Sequence, residues 1–200
     1  MIGTSDGPSP TTPVEPRRQP RSLLTDTLVV VLLAATTVWL LNALIVTRFR
    51  VEGDSMFPTL HSGEYVLVDR IGYRLTDLRR GDVIVFQYPY GPERDFIKRV
   101  IGLPGDVVDI EAGVVRVNGV ALDEPYVPVP PTYTTRTLLG PNQLYVLGDN
   151  RNNSADSHNW GALDRSYLVG RAIVVYWPIG SARLVEPYPY PQIPTREVFP

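Results

Sequence analysis

The chain of 200 residues contains no cysteine, which removes disulfide frameworks, thiol nucleophiles and Cys-based metal sites from consideration. Such a chain is compatible with an oxidising exterior but is not confined to one. Histidine is nearly absent as well: His61 and His158 are the only two, too few for a His-rich metal site. Lysine is scarcer still, because Lys98 is the single lysine among 19 basic residues and the others are all arginine. A formal net charge of −2 with no long basic run gives no case for nucleic-acid binding. No ligand-like spacing suggests a metal or an organic cofactor. What is abundant is proline, at 20, and glycine, at 16. Those numbers argue for many turns and extended segments rather than a helix bundle.

The longest apolar feature is Thr27 to Val46, about twenty uncharged residues, enough to cross a bilayer as a helix. It is longer than the apolar core of a cleavable signal peptide, and no clean small-x-small site follows it. We read 23–46 as a retained transmembrane anchor. Ser55 follows within about nine residues, which reach at most roughly 30 Å when extended, so the chain around it is tethered near the membrane surface. Arg17, Arg18 and Arg21 precede the span, and Arg48 and Arg50 follow it. That small excess places the N-terminus on the cytoplasmic side. Residues 1–22, with Pro8, Pro10, Pro13, Pro16 and Pro20 among Ser and Thr, read as a disordered cytoplasmic tail.

Beyond the anchor, 47–178 reads as one water-facing domain of ordinary size. Short alternating apolar runs separated by turn signals predict strands. They fall at Thr47–Val51, Glu64–Asp69, Asp82–Gln87, Phe96–Ile101, Val107–Glu111, Val114–Val117, Val120–Leu122, Leu144–Leu147 and Val169–Trp177. Asn118-Gly119 is a strong tight-turn signal. No segment carries sustained helical periodicity, so a mostly β fold is expected. Residues 123–143, with five prolines, read as an extended excursion, and 179–200 as a loosely held Pro-rich C-terminal tail.

Chemistry concentrates in Gly53-Asp-Ser55-Met-Phe-Pro-Thr-Leu60, Arg80-Gly-Asp-Val-Ile-Val-Phe86, Phe96-Ile-Lys98-Arg-Val-Ile-Gly-Leu-Pro-Gly-Asp106 and Gly148-Asp-Asn-Arg-Asn-Asn-Ser154-Ala-Asp156-Ser. A serine hydroxyl needs a base to become a nucleophile. With histidine scarce, the candidates are Lys, Asp and Glu. On a strand Lys98 shares a face with Phe96 and Val100, and apolar neighbours lower an amine's pKa by penalising its charge. A neutral amine accepts a proton, whereas arginine stays charged. The competing readings are a lysine snorkelling to a sheet edge and a Gly-Asp-Ser stretch serving only as a turn.

These four clusters, in this order behind an apolar span, closely resemble the type I signal peptidases of bacteria, membrane-bound Ser/Lys proteases that cut leader peptides from exported proteins. The resemblance covers the anchor and nearly all of 50–177. It implies the β fold that this family shares with the self-cleaving, LexA-like repressor proteases, preceded by one transmembrane helix. It further implies Ser55 as nucleophile and Lys98 as general base, with no cofactor and no metal. Ser154 would bond and orient Lys98, while Asp149, Arg151 and Asp156 would form a charged bracing network. Met56, Leu60, Phe96 and Ile97 would line the substrate pocket, for which ordinary core packing is the alternative. The implied substrates are exported preproteins with small residues one and three positions before the cut, met at the lipid bilayer on the extracytoplasmic side of the cell membrane. Some members carry a serine hydroxyl two residues before the nucleophile; here Gly53 leaves backbone N–H groups to hold the oxyanion.

Where many members carry Arg two residues after the acid matching Asp156, this chain has His158. A Ser55–His158–Asp156 triad is therefore a second reading, and a simple Asp156–His158 pair a third. His61 is expected to be a surface turn residue. A repressor-like protease and an inactive membrane-tethered binding domain are the remaining alternatives. Phe49, Phe57 and Trp177 are candidates for leaning on lipid or for burial.

Overall fold

The computed structural model describes residues 23–72 and 76–193, without the side chains of 40–45. The expected disordered tail, 1–22, lies outside the described residues, as do 194–200.

Helix α1 runs Leu23–Ile45. After Asp26 in its first turn, its described side chains through Trp39 are uncharged and mostly apolar around the whole circumference rather than along one stripe. Among the described residues no helix is long and apolar enough to cross a membrane. The described residues divide into two units, Leu23–Leu40 and Leu41–Ile193.

The second unit is built on antiparallel sheets. Its twelve described strands are β1 (Val46–Arg50), β2 (Tyr65–Asp69), β3 (Val83–Tyr88), β4 (Gly91–Gly102), β5 (Val107–Glu111), β6 (Val114–Val117), β7 (Val120–Ala121), β8 (Thr135–Leu138), β9 (Gln143–Leu147), β10 (Leu163–Asp164), β11 (Leu168–Trp177) and β12 (Arg183–Leu184). The larger sheet has the order β1-β2-β11-β3-β4-β9-β10, with β12 added to β11. The smaller sheet has the order β7-β6-β5-β8.

The burial of each strand follows from its residue pattern. In β2 the alternation is strict, and Val66 and Val68 point inward. Strand β3 has no polar alternation over Val83–Phe86 because both its faces are covered. Val83 and Val85 join one core cluster with Val51, Met56, Leu60 and Val66. Ile84 and Phe86 join another with Val100, Leu144 and Val146. A third cluster, around Val108, Ile110, Val115 and Val117, underlies the smaller sheet. The Asn118-Gly119 turn sits at φ 54° and 82°, the left-handed pair that a two-residue hairpin loop requires.

Strand β4 is paired unequally. Its β3 side is matched from Gly91 to Arg99, but β9 meets it only over Arg99–Gly102. Among the described residues the second edge of β4 is therefore open before Arg99.

Two expectations are corrected. The 123–143 excursion contains β8, which pairs with β5 from Val107↔Leu138 to Ile110↔Thr135. The Pro-rich end from 179 to Ile193 is packed, not loose. Strand β12 pairs with β11, Tyr188 donates its N–H to Gly81 O at 3.3 Å, and Val185, Tyr190 and Ile193 are buried. Its prolines space aromatic and apolar side chains that enter the core.

Candidate active site

The turn after β1 carries Ser55. Its ends are closed by Val51 N–H on Glu64 O at 2.8 Å and Gly63 N–H on Val51 O at 2.8 Å. Met56 and Leu60 are fully buried in the core and anchor it from below. Asn150 N–H donates to Ser55 O at 3.0 Å, and the Asn150 amide donates to Asp54 O at 3.1 Å. Arg183 of β12 holds Glu64 at 2.7 Å and donates to Thr59 O at 2.7 Å, tying the C-terminal segment to the same turn.

Lys98 enters from β4, opposite Ile84. Its Nζ lies 2.8 Å from Ser55 Oγ and 2.8 Å from Ile97 O. The side chain is only 4 % exposed, and Nζ stands 5.3 Å from the centre of the Phe96 ring. Burial pushes the amine down from 10.5 to about 8, against the opposing pull of the Asp156 and Asp149 charges.

Behind this pair the 148–156 loop is braced by buried charges. Arg99 forks onto Asp149 at 2.9 and 2.7 Å, and Thr59 Oγ1 donates to Asp149 at 2.5 Å. Arg151 forks onto Glu124 at 2.6 and 2.7 Å, while its Nε donates to Gly148 O at 3.1 Å. Tyr126 packs its ring 4.3 Å from the Arg99 guanidinium carbon. Its hydroxyl donates to Glu124 at 2.8 Å and contacts the Tyr190 hydroxyl. Asp156 is fully buried and accepts Gly148 N–H at 2.9 Å.

Ser55 and Lys98 are thus brought together, with Asp149, Arg151 and Asp156 behind them. Ser154 is not seen bonding Lys98: its Oγ is buried, without a hydrogen-bond partner among the described residues, and faces Gly148. His158 does not reach Ser55; its Nδ1 lies 2.7 Å from Asp156, so the simple pair is what forms. Met56 and Leu60 are core residues rather than pocket lining, because their apolar side chains are what fix the turn. Phe96 and Ile97 do line the cleft. That cleft, about 490 Å³, opens over Ser55 and Lys98 between Phe49 and Glu52 on one side and Phe96 and Ile97 on the other. Phe49 is half-buried against the core, while Phe57 and Trp177 are exposed. His61 is exposed in its turn and meets the Phe57 ring edge-on at 5.4 Å.

Glu124, Tyr126, Thr59, Arg99 and Tyr190 were not singled out from sequence. Arg99 sits beside Lys98, but its partner Asp149 is 50 positions away, and nothing local marks the pairing.

Residues 24–177 match the family described as Signal peptidase, peptidase S26. The chain is 38% identical over 201 residues to signal peptidase I of Leptolyngbya laminosa, covering 94% of this chain and 99% of that one. It is 45% identical over 141 residues to the probable signal peptidase I-2 of Synechocystis sp., covering 68% of this chain and 65% of its relative. A crystal structure of a signal peptidase I from Enterococcus faecalis aligns at TM-score 0.44 and 28% identity, over 48% of this chain and 97% of that one. The chain belongs to the signal peptidase family, a family of serine proteases.

Proposed function

We propose that this protein is a membrane-anchored serine endopeptidase that removes N-terminal signal peptides from exported preproteins, with Ser55 as nucleophile and Lys98 as general base. The observation that carries the reading is the 2.8 Å contact between Ser55 Oγ and the buried Nζ of the only lysine in the chain. A neutral Lys98 donates its N–H to Ile97 O and keeps its lone pair for the Ser55 proton.

Ser55 Oγ attacks the carbonyl carbon before the cut while its proton passes to Nζ. The tetrahedral oxyanion takes backbone N–H donors, with that of Ser55 itself making no backbone hydrogen bond among the described residues. Collapse breaks the C–N bond, and the Lys98 ammonium protonates the departing amine. An ester to Ser55 remains. A water, deprotonated by Lys98, attacks that ester, and the proton returns to Ser55 Oγ as the signal peptide leaves with its new carboxyl end. The Asp156 and Asp149 charges favour the ammonium during both half-reactions. Asp149, Arg151 and Asp156 act as bracing groups, and Ser154 has the orienting role toward Lys98 that the family resemblance implies.

The open edge of β4 and the adjoining cleft suit an extended peptide added as a strand, with small side chains one and three positions before the cut. Residues 23–46 serve as the anchor: the all-round apolar surface of α1 supports burial in lipid. The excess of three arginines before the span over two after it supports a catalytic domain outside the cytoplasm.

The test is cleavage in detergent of a preprotein bearing Ala-x-Ala by wild type, Ser55→Ala, Lys98→Ala and His158→Ala. Loss in the first two variants with retained cutting in the third is expected. An active Lys98→Ala would overturn the assignment of the base.

A further inference from the structure

Asp156 divides its two oxygens between different partners. Oδ2 accepts Gly148 N–H at 2.9 Å. Gly148 is packed so closely on Ser55 O and Ser154 Oγ that no side chain fits there. Oδ1 accepts the His158 backbone N–H at 3.2 Å and meets its Nδ1 at 2.7 Å. His158 is the second residue of the short helix α2 (Ser157–Trp160), which Asp156 caps. Its ring lies flat on Tyr133, at 3.7 Å between centres and 8° between planes. The imidazole is therefore fixed in plane by an aromatic face and in direction by a carboxylate.

That carboxylate is one of the two whose charge keeps a proton on Lys98. The charged and titratable groups around the assembly are few. Tyr133 covers the imidazole, and Tyr133 itself feels Asp156, Arg151, Tyr145 and Glu124. Asp149, the other acid acting on Lys98, is already forked onto Arg99. Among the described residues Asp156 has no arginine or lysine partner, and its only side-chain partner there that can carry charge is His158.

We propose that His158 is a positioning residue for the Ser55–Lys98 reaction. Held flat by Tyr133, its imidazole fixes the Asp156 carboxylate and shares its charge, and so sets how readily Lys98 releases its proton. The inference rests on the Ser/Lys reading given above. A donor on Oδ1 draws charge away from Lys98, and a cation there offsets it further. Without any donor, the full carboxylate charge holds the ammonium more firmly.

The chain offers a direct readout, because ¹⁵N-lysine labelling gives one Nζ signal. That signal and kcat/KM on an Ala-x-Ala preprotein are followed against pH for wild type, His158→Phe and His158→Arg. Phe keeps the ring on Tyr133 and removes the donor; Arg supplies a permanent cation. In His158→Phe both midpoints should rise by about half to one pH unit, so that cleavage near pH 7 falls about three- to tenfold and recovers above the midpoint. In His158→Arg both should fall. Unchanged midpoints, or a loss of equal size at every pH, would overturn the proposal, since a purely structural role scales the whole profile. His158→Leu, which likewise has no side-chain donor and is checked by circular dichroism, replaces Phe if that variant does not fold. If Lys98→Ala proves active, the Ser/Lys reading fails, whereas unchanged Nζ midpoints with an inactive Lys98→Ala remove only the role of His158.

Discussion

Lys98 Nζ and Ser55 Oγ stand 2.8 Å apart although 43 positions separate them in the chain. The contact joins an interior strand position to a surface turn, and each side is held independently: Lys98 by the β3–β4 ladder, Ser55 by Met56 and Leu60 beneath it. Burial brings the amine to about 8, so the base is present in useful amount near neutral pH. The expected kcat/KM profile rises with pH and levels above about 8. Lys98→Arg should be inactive at every pH, because a guanidinium cannot accept the proton. Ser55→Ala should lower kcat by at least about 10³-fold. A preprotein cleavage series from pH 6 to about 10 checks all three expectations.

The same lysine burdens the fold. Its folded value, about 8, lies below 10.5, so between those two pH values the unfolded chain binds more protons than the folded one. Stability therefore rises with pH across that window, and the full cost is present below about 8. Lys98→Met, which keeps the volume without the charge, should stabilise the protein at pH 7 by about 1–3 kcal/mol. That gain should shrink as pH approaches 10.5. Thermal melts of both proteins at pH 7 and pH 10 would reveal it, and an equal gain at the two pH values would contradict it.

Asp149 and Arg99 are both buried and fully forked. Removing the acid strands a guanidinium in the interior beside Tyr126. Asp149→Asn should cost about 3–5 kcal/mol, more than a surface ion pair would. A double variant with Arg99→Met should recover part of that loss, because the stranded charge goes too. Urea unfolding of wild type, Asp149→Asn, Arg99→Met and the double variant measures the coupling.

Gly148 has no room for a side chain. A methyl group there would collide with Ser154 Oγ and with the carbonyl oxygen of Ser55. Since the Ser55 carbonyl is backbone, the turn must shift rather than a side chain swing away. Gly148→Ala should thus lower kcat by about tenfold or more through a displacement of about 1 Å, while the unfolding midpoint changes modestly. Intact activity would show that the turn tolerates movement.

The strands were legible where one face is buried, as in β2, and where the run is apolar throughout, as in β3, because burial imposes those patterns directly. Strand β8 was not, because Thr135–Leu138 follows a run of prolines and buries little of itself; its place is fixed by β5 across the gap. The packing of Tyr188 and Tyr190 was hidden for a related reason. Alternating prolines read as a tail, and only the tertiary partners Gly81, Glu124 and Tyr126 reveal what the tyrosines meet. At the site, a lone lysine was visible by its isolation, and the Asp156–His158 pair by its spacing. The Glu124–Arg151 fork, spanning 27 positions, had no local signal at all. Met56 and Leu60 show the limit of reading apolar residues beside a nucleophile, since core and pocket demand the same chemistry.

The unpaired edge of β4 has a consequence for colloidal behaviour. A bare row of N–H and C=O groups is a template for any extended chain, including another copy of this protein. Along that stretch the sequence sets Glu93, Arg94 and Asp95, all exposed, so an approaching strand must strip water from three successive charges. The edge is thereby discouraged from non-specific aggregation without being closed. Replacing the three with β-branched apolar residues would turn a receptive surface into a sticky one, which light scattering would register as self-assembly.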